Sequence, residues 1–598
     1  MENLVKEDIS DSKNKDVFKF QLKIKKESVY VLILLALVNW VSHFLYFRRF
    51  GLYEDDYSNI PLHFDQNFTE LMQFIIFRLT HWLQGHPLSF MPGLFTFVGK
   101  EISEGLSILY VIVFIIITIN SFLVYNILKK IFPSSKLFAI SGALIFCLFP
   151  PDTTKLYLLH GFVAQMAVAY LFISTLLYLN NKKILAYLTI ILAIFTYEAP
   201  FMVFFGVPFL KGKWDKKFWT EYLKHFIILS SIIALMFLYR KLTGESRVLN
   251  ASNDMFGVIT KVIAGIFIGP VFNIYLFLRA PVSTISYLIS SSSVFWWYYN
   301  YIYFILGACF LFFLWLFYKL KPDYSSNLGV KSSVGLNPLI TEDNIVVNEY
   351  FRKIFKIFIA AVILICFGYS VSFTHYPPIE LMGRRTSVHI GATFGASIIF
   401  ACICASVIFI SEKFNFKRLA VSVLSIYLAL LVGYNTVTQK EFVQSWNFQK
   451  SFWKQIINIC PDINENTVIL LSGSNKLFYY TKYILTLSPQ PTSLILGQLF
   501  KFPKGWVYPP KVLFIFSNWK NFLSDNGDKL ILQLPYIKPA IIQDSNVIFV
   551  RTNNNFEFSR IDTTFNLNGK IINTKPKGES TLNLYEKTKL YDFMIKSK

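Results

Sequence analysis

The chain has 598 residues, of which 54% are hydrophobic and 16% charged, with a formal net charge of +22. Soluble domains carry about 25% charged residues, so a composition this apolar excludes an ordinary soluble protein. The basic residues lie in short clusters between apolar runs, such as Lys129-Lys130 and Lys182-Lys183, rather than on one face of a soluble fold, which excludes nucleic acid as a partner.

Residues 1–27 are polar and Lys-rich and read as a cytoplasmic tail. The first apolar run, 28–47, lacks a small-residue cleavage site and reads as an uncleaved anchor ending at Arg48-Arg49, which oppose the positive-inside trend locally. A long outer segment follows over 48–104, holding Gly51-Leu52-Tyr53-Glu54-Asp55-Asp56-Tyr57. Three consecutive carboxylates repel one another. They are candidates for a general base, for ligands of a divalent cation, or both, with Asp56 the metal candidate and Mg or Mn the candidate ions; the sequence alone leaves the cofactor unknown. Residues 68–82 form an amphipathic stretch that predicts a helix lying in the membrane interface, and Gln84-Gly85-His86-Pro87-Leu88 follows it.

Further spans are predicted near 106–128, 135–150, 158–180, 183–198 and 225–243, with 199–210 as a broken return to a basic inner loop at 211–224. Residues 257–293 carry Lys261, Pro270, Arg279 and Pro281 and read as interfacial helices or a pair of crossings. Trp296-Trp297-Tyr298-Tyr299 reads as an interfacial aromatic belt, and 320–350 as a cytoplasmic linker. Spans near 296–318, 353–373, 388–410 and 417–436 complete a polytopic α-helical membrane protein of about eleven (11–13) helices over 28–437, N-terminus inside and C-terminus outside. Residues 438–598 contain short β-type runs at 468–471, 512–516 and 547–550 and read as a small extracytoplasmic α+β domain.

The cysteines form no framework: Cys147, Cys309, Cys366, Cys402 and Cys404 lie in apolar runs and Cys460 stands alone in the tail. Cys402 and Cys404 are two apart on a helix and do not share a face. Asn67-Phe68-Thr69 and Asn250-Ala251-Ser252 match a glycosylation sequon at the level expected by chance in so Asn-rich a chain.

A first membrane helix, an acidic outer loop, an interfacial helix and the turn Trp82-Leu83-Gln84-Gly85-His86-Pro87-Leu88 resemble the GT-C glycosyltransferases, and among them the bacterial multi-spanning enzymes that modify O-antigen and other surface glycans. The likeness extends to Thr196-Tyr197-Glu198-Ala199-Pro200, to the arginine-bearing loop before a late span, and to the external C-terminal domain. It covers most of the chain in layout and a few short motifs in detail, and it departs from the family at His86, where the family pattern has arginine. The resemblance implies a bacterial inner-membrane enzyme that moves a sugar from a polyprenyl-phosphate donor to a glycan, lipid or protein acceptor, with inversion.

That chemistry needs a carboxylate to deprotonate the acceptor hydroxyl and cations to stabilise the departing phosphate. Asp55 is the favoured base, with Asp56 positioning the acceptor or a metal and Glu54 a lesser candidate. Arg384 and Arg385 are the candidate phosphate ligands because guanidinium binds phosphate bidentately, and Lys241 and Arg247 are weaker ones. Glu198, His86 and His160 are candidate substrate contacts, and Asp152 resembles His160 in position. A transporter or flippase of lipid-linked sugars would predict mid-span charges and an inverted repeat, which this chain lacks. A glycan polymerase or ligase would place its key residues in a large late loop, whereas the acids here come early.

Overall fold

A computed structural model describes residues 26–81, 85–245, 248, 254–290, 301–320, 341–371, 376–472, 495–506, 509–514, 523–525, 529–532, 540–543, 546–553, 557–567 and 570–596. Trp82, Arg247, the sequon at Asn250, the Trp296–Tyr299 group and most of the 320–350 linker lie outside the described residues.

The chain is mostly helical, with a small sheet region at its C-terminus. Eight helices among the described residues are long and apolar enough to cross a membrane: Lys26–Arg49, Ser107–Ile131, Leu158–Leu179, Lys216–Leu242, Met255–Ser290, Ile302–Lys319, Arg384–Lys413 and Lys417–Ile459. Where the sequence predicts spans at 135–150 and 183–198, the structure has apolar helices of 13 and 12 residues, Lys136–Leu148 and Lys183–Ile194. The predicted 353–373 span lies in a 29-residue helix, Thr341–Tyr369, whose first half is charged. The expected inner loop 211–224 is shorter than predicted. Asp215 accepts from Phe218 N at 2.8 Å and starts a helix at Lys216, directly after Gly212 closes the preceding turn at φ +68°.

Residues 257–293 are neither separate interfacial helices nor a pair of crossings. The described part, 257–290, lies in one continuous 36-residue helix, α1 (Met255–Ser290), that runs through Pro270 and Pro281. A neighbouring side chain takes up the carbonyl that Pro281 frees, Tyr427 Oη donating to Phe277 O at 3.2 Å, and Asn273 Nδ2 donates to Tyr369 Oη at 3.0 Å.

The last membrane-length helix among the described residues, α2 (Lys417–Ile459), has 43 residues and is about 65 Å long at ~1.5 Å per residue. It passes unbroken through residue 438, so the boundary read from composition falls inside a helix. Its buried residues Gln439, Phe442, Trp446, Gln449, Trp453 and Ile456 recur at alternating three- and four-residue steps, one stripe along the helix. Beyond it, β1 (Val468–Ser472), β2 (Lys511–Phe514), β3 (Val547–Thr552) and β4 (Phe558–Ile561) form a sheet in the order β2-β1-β3-β4. The first three are parallel and β4 is antiparallel to β3. The predicted β-type runs at 468–471 and 547–550 are thus the centre of the sheet, and the described part of the 512–516 run is a parallel strand at its edge. Arg560 on β4 makes a two-pronged ion pair with the buried Asp462 that follows α2, at 2.5 and 3.1 Å. The loop after the first span, the upper half of α2 and this sheet share one apolar core, from Phe50, Tyr53 and Tyr57 through Phe442 and Trp453 to Ile469 and Ile548.

Candidate functional site

The acidic loop is built into this core. Gly51 passes so close to Trp446 that an added Cβ would lie 1.8–2.4 Å from ring atoms, so a side chain is excluded there. Tyr110 Oη donates to Gly51 O at 2.5 Å, Tyr53 Oη to Phe442 O at 3.0 Å, and Gln449 Nε2 to Leu52 O at 3.2 Å. Tyr57 donates its hydroxyl to Gln449, and Gln498 donates to Tyr57 O. The backbone then turns at Glu54, whose φ of +51° lies in the left-handed region that only a few per cent of non-glycine residues occupy.

The three carboxylates occupy three different environments. Asp56 is fully buried. Its Oδ2 accepts from Tyr53 N at 3.0 Å and Leu158 N at 3.3 Å, and its Oδ1 from Leu159 N at 2.8 Å. The last two donors are orphan N–H groups at the start of the Leu158–Phe162 helix, so Asp56 caps a helix one hundred residues away in the chain. Burial pushes its carboxyl up to about 7, against the pull of those N–H donors. Asp55 meets Arg384, Nη2 to Oδ2 at 2.7 Å. Glu54 is half-buried, and burial pushes it up to about 8, with Arg384 opposing and the two aspartates adding.

Arg384 starts a tight helical turn, Arg384–Ala392, directly after Gly383, which sits at φ +109° where a side chain is strained. Threonines fix that turn to the loop before residue 158. Thr153 N donates to Thr386 Oγ1 at 3.1 Å, and Gly383 N to Thr153 Oγ1 at 3.2 Å. Asp152 accepts from Thr154 N and Oγ1 at 2.9 and 2.6 Å and is a buried turn former. Lys155 is buried and donates to Phe146 O and Cys147 O, both at 3.2 Å; burial pulls its ammonium down to about 8. Three loops distant in sequence therefore meet at one end of the bundle, with the Asp55–Arg384 pair between them. His160 packs edge-on to Tyr157 at 5.7 Å. Arg385 turns away: it is 70% exposed and paired with Glu380 at 3.3 Å. His389, in the same turn, is buried against Tyr369 Oη at 2.5 Å and Pro378 O at 3.0 Å.

Glu198 and His86 come together in a second cluster, Nε2 to Oε1 at 3.3 Å. The short helix that begins with Glu198 packs against the Arg384–Ala392 turn. The partner that sequence reasoning missed is Arg240, whose Nη1 lies 2.7 Å from Glu198 Oε1 and whose Nε lies 3.6 Å from Glu245. Burial alone would raise the Glu198 carboxyl, but His86 and Arg240 hold it well below the usual carboxylate range. Lys241, one residue on, is exposed, about 100° around the helix from Arg240. The sequence signal for Arg240 is its place in the last turn of an apolar helix, beside Lys241.

The donor set does not fit a divalent cation. Both Asp56 oxygens already face backbone N–H donors and Asp55 faces a guanidinium. Among the described residues no group of three or more His, Cys, Asp or Glu side chains is arranged to hold a metal ion. No family model matches the chain, and no curated protein or solved structure matches it.

Proposed function

We propose that this chain is a membrane glycosyltransferase that takes a sugar from a polyprenyl-phosphate donor and transfers it, with inversion, to a hydroxyl of a glycan, lipid or protein acceptor. The observation that carries the reading is the Asp55–Arg384 pair: an acid from the first outer loop and an arginine from the late loop meet at 2.7 Å. A reaction that deprotonates a hydroxyl while expelling a phosphate needs such a base and such a cation side by side.

In this reading the donor phosphate competes with Asp55 for the Arg384 guanidinium and frees the carboxylate. The acceptor oxygen attacks the anomeric carbon as its proton passes to Asp55. The bond from that carbon to the phosphate oxygen breaks, and its electron pair leaves on the phosphate beside Arg384. Asp56 holds the loop in place, and the Glu198–His86–Arg240 cluster offers hydrogen-bond partners for sugar hydroxyls. The reading places the active site on the extracytoplasmic face of a bacterial inner membrane.

The test is turnover of a panel of polyprenyl-phosphate sugars by the purified protein in lipid, read as released lipid phosphate. Turnover that vanishes in Asp55→Asn and Arg384→Gln supports the assignment. A folded wild-type protein that turns over no donor, or an Asp55→Asn form with full activity, removes it.

A further inference from the structure

Arg48 and Arg49 end the first span against the local charge trend, and the proposed reaction leaves them unused. Both are exposed, and neither makes an ion pair or a side-chain hydrogen bond with a described residue. They line a cleft of about 460 Å³ between the end of the first span and the start of the Ile302–Lys319 helix. Its other walls among the described residues are apolar or aromatic, including Leu45, Phe47, Tyr301 and Ile305, and no described carboxylate lines it. Lys440, which does not line the cleft, lies 5.3 Å from the Tyr301 ring centroid and 5.9 Å from that of Tyr287. Phe304, beside the cleft, is 78% exposed.

We propose that this cleft binds the phosphate head of an anionic membrane lipid, with Arg48 and Arg49 on the phosphate and the start of the lipid chain against Phe47, Tyr301 and Ile305. Two guanidinium groups without protein carboxylates make a site for phosphate oxygens. The apolar walls select an amphiphile, because a free phosphate ion gains nothing from them. The position fits as well: the change from Phe47 to Arg48 falls where an apolar span gives way to charge, the depth of a lipid headgroup. The site is separate from the Asp55–Arg384 pair and stands whether or not the chain is a transferase.

The test is native mass spectrometry of the purified full chain exposed to mixed micelles of phosphatidylglycerol and phosphatidylcholine, with polyprenyl phosphate and inorganic phosphate as separate additions. Phosphatidylglycerol should be retained over phosphatidylcholine, and retention should fall roughly fivefold per arginine removed, about thirtyfold in the Arg48→Gln/Arg49→Gln protein. Lys182→Gln, at the other end of the bundle, should leave retention unchanged, and Arg48→Lys/Arg49→Lys should keep part of the preference. Stronger retention of polyprenyl phosphate, with the same arginine dependence, also supports the site and names its lipid. Equal retention by the double Gln protein, or full displacement by inorganic phosphate, overturns the proposal. Should the double variant fold poorly, Ile305→Trp fills the cleft with both charges kept and must also lose the lipid.

Discussion

Asp55 and Asp56 are neighbours in the chain, yet their amide variants should fail in opposite ways. The two Asp56 oxygens accept three backbone N–H groups in a fully buried site. An asparagine has one acceptor oxygen there, and either amide orientation aims its NH₂ at a backbone donor. Two buried donors are then unmade, and at about 1–3 kcal/mol each the loss is about 2–6 kcal/mol. Asp55 is 25% exposed and its partner Arg384 47%, a surface pair worth only about 0.2–1 kcal/mol. In the proposed reaction Asp55 is the general base, and loss of such a base lowers turnover by about 10²–10⁴-fold. Asp55→Asn should therefore melt close to wild type in detergent and have almost no activity. Asp56→Asn should melt several degrees lower, with activity that follows the folded fraction. The assay is thermal unfolding by intrinsic fluorescence beside donor turnover on the same preparations. An Asp56→Asn protein that melts like wild type would refute the capping role. Loss of activity in both variants at unchanged stability would refute the division of labour.

Arg384→Gln should lower kcat/KM for the donor by about 10²–10³-fold, and Arg384→Lys by less, because a point charge replaces a two-pronged donor; steady-state kinetics with varied donor would show it. Glu54, pushed up to about 8, binds its proton more tightly folded than unfolded, where the carboxyl is near 4.5. Its contribution is therefore present at acid pH and lost as pH rises from about 4.5 to 8, so Glu54→Gln should flatten the fall in melting temperature between pH 5 and 8. A variant curve parallel to wild type would show that Glu54 does not titrate there. Gly51→Ala places a methyl group inside the Trp446 ring and should cost at least about 1–3 kcal/mol, seen as a lower melting temperature. Gly105→Ala, with open space around it but φ +109°, should cost only the smaller backbone strain.

The membrane class was legible because apolar runs need no partner to be recognised. The strands at 468–472, 511–514 and 547–552 were legible for the same reason: each buried parallel strand is a continuous hydrophobic run. The upper half of α2 was not. Its inward stripe mixes Gln439 and Gln449 with Phe442, Trp446 and Trp453, and the glutamines look solvated until the backbone groups they bind are known. Pro270 and Pro281 read in the sequence as interruptions, yet the helix passes through both, with Tyr427 Oη donating to the carbonyl that Pro281 frees. Asn67 shows how a motif match can be explained locally: its side chain accepts from Glu70 N at 2.9 Å and forms a capping box, which accounts for Asn at that position.

The acidic loop was found by its composition, but its division of roles could not be. Three adjacent carboxylates are equivalent in a sequence; they become different only when residues 158 and 159 bring backbone N–H groups to Asp56 and residue 384 brings a guanidinium to Asp55. The same loop is anchored by Trp446, Gln449 and Gln498 from the far end of the chain. The C-terminal domain is therefore part of what shapes the site rather than an appendage beside it. Cutting the chain near residue 440 would expose Tyr53 and Tyr57 and remove their hydrogen-bond partners Phe442 and Gln449, so loss of activity after such a cut would report collapse of the loop. Substitutions at single positions on the loop and on Arg384 keep that anchoring intact, which is why they, and not truncation, can separate chemistry from architecture in this protein.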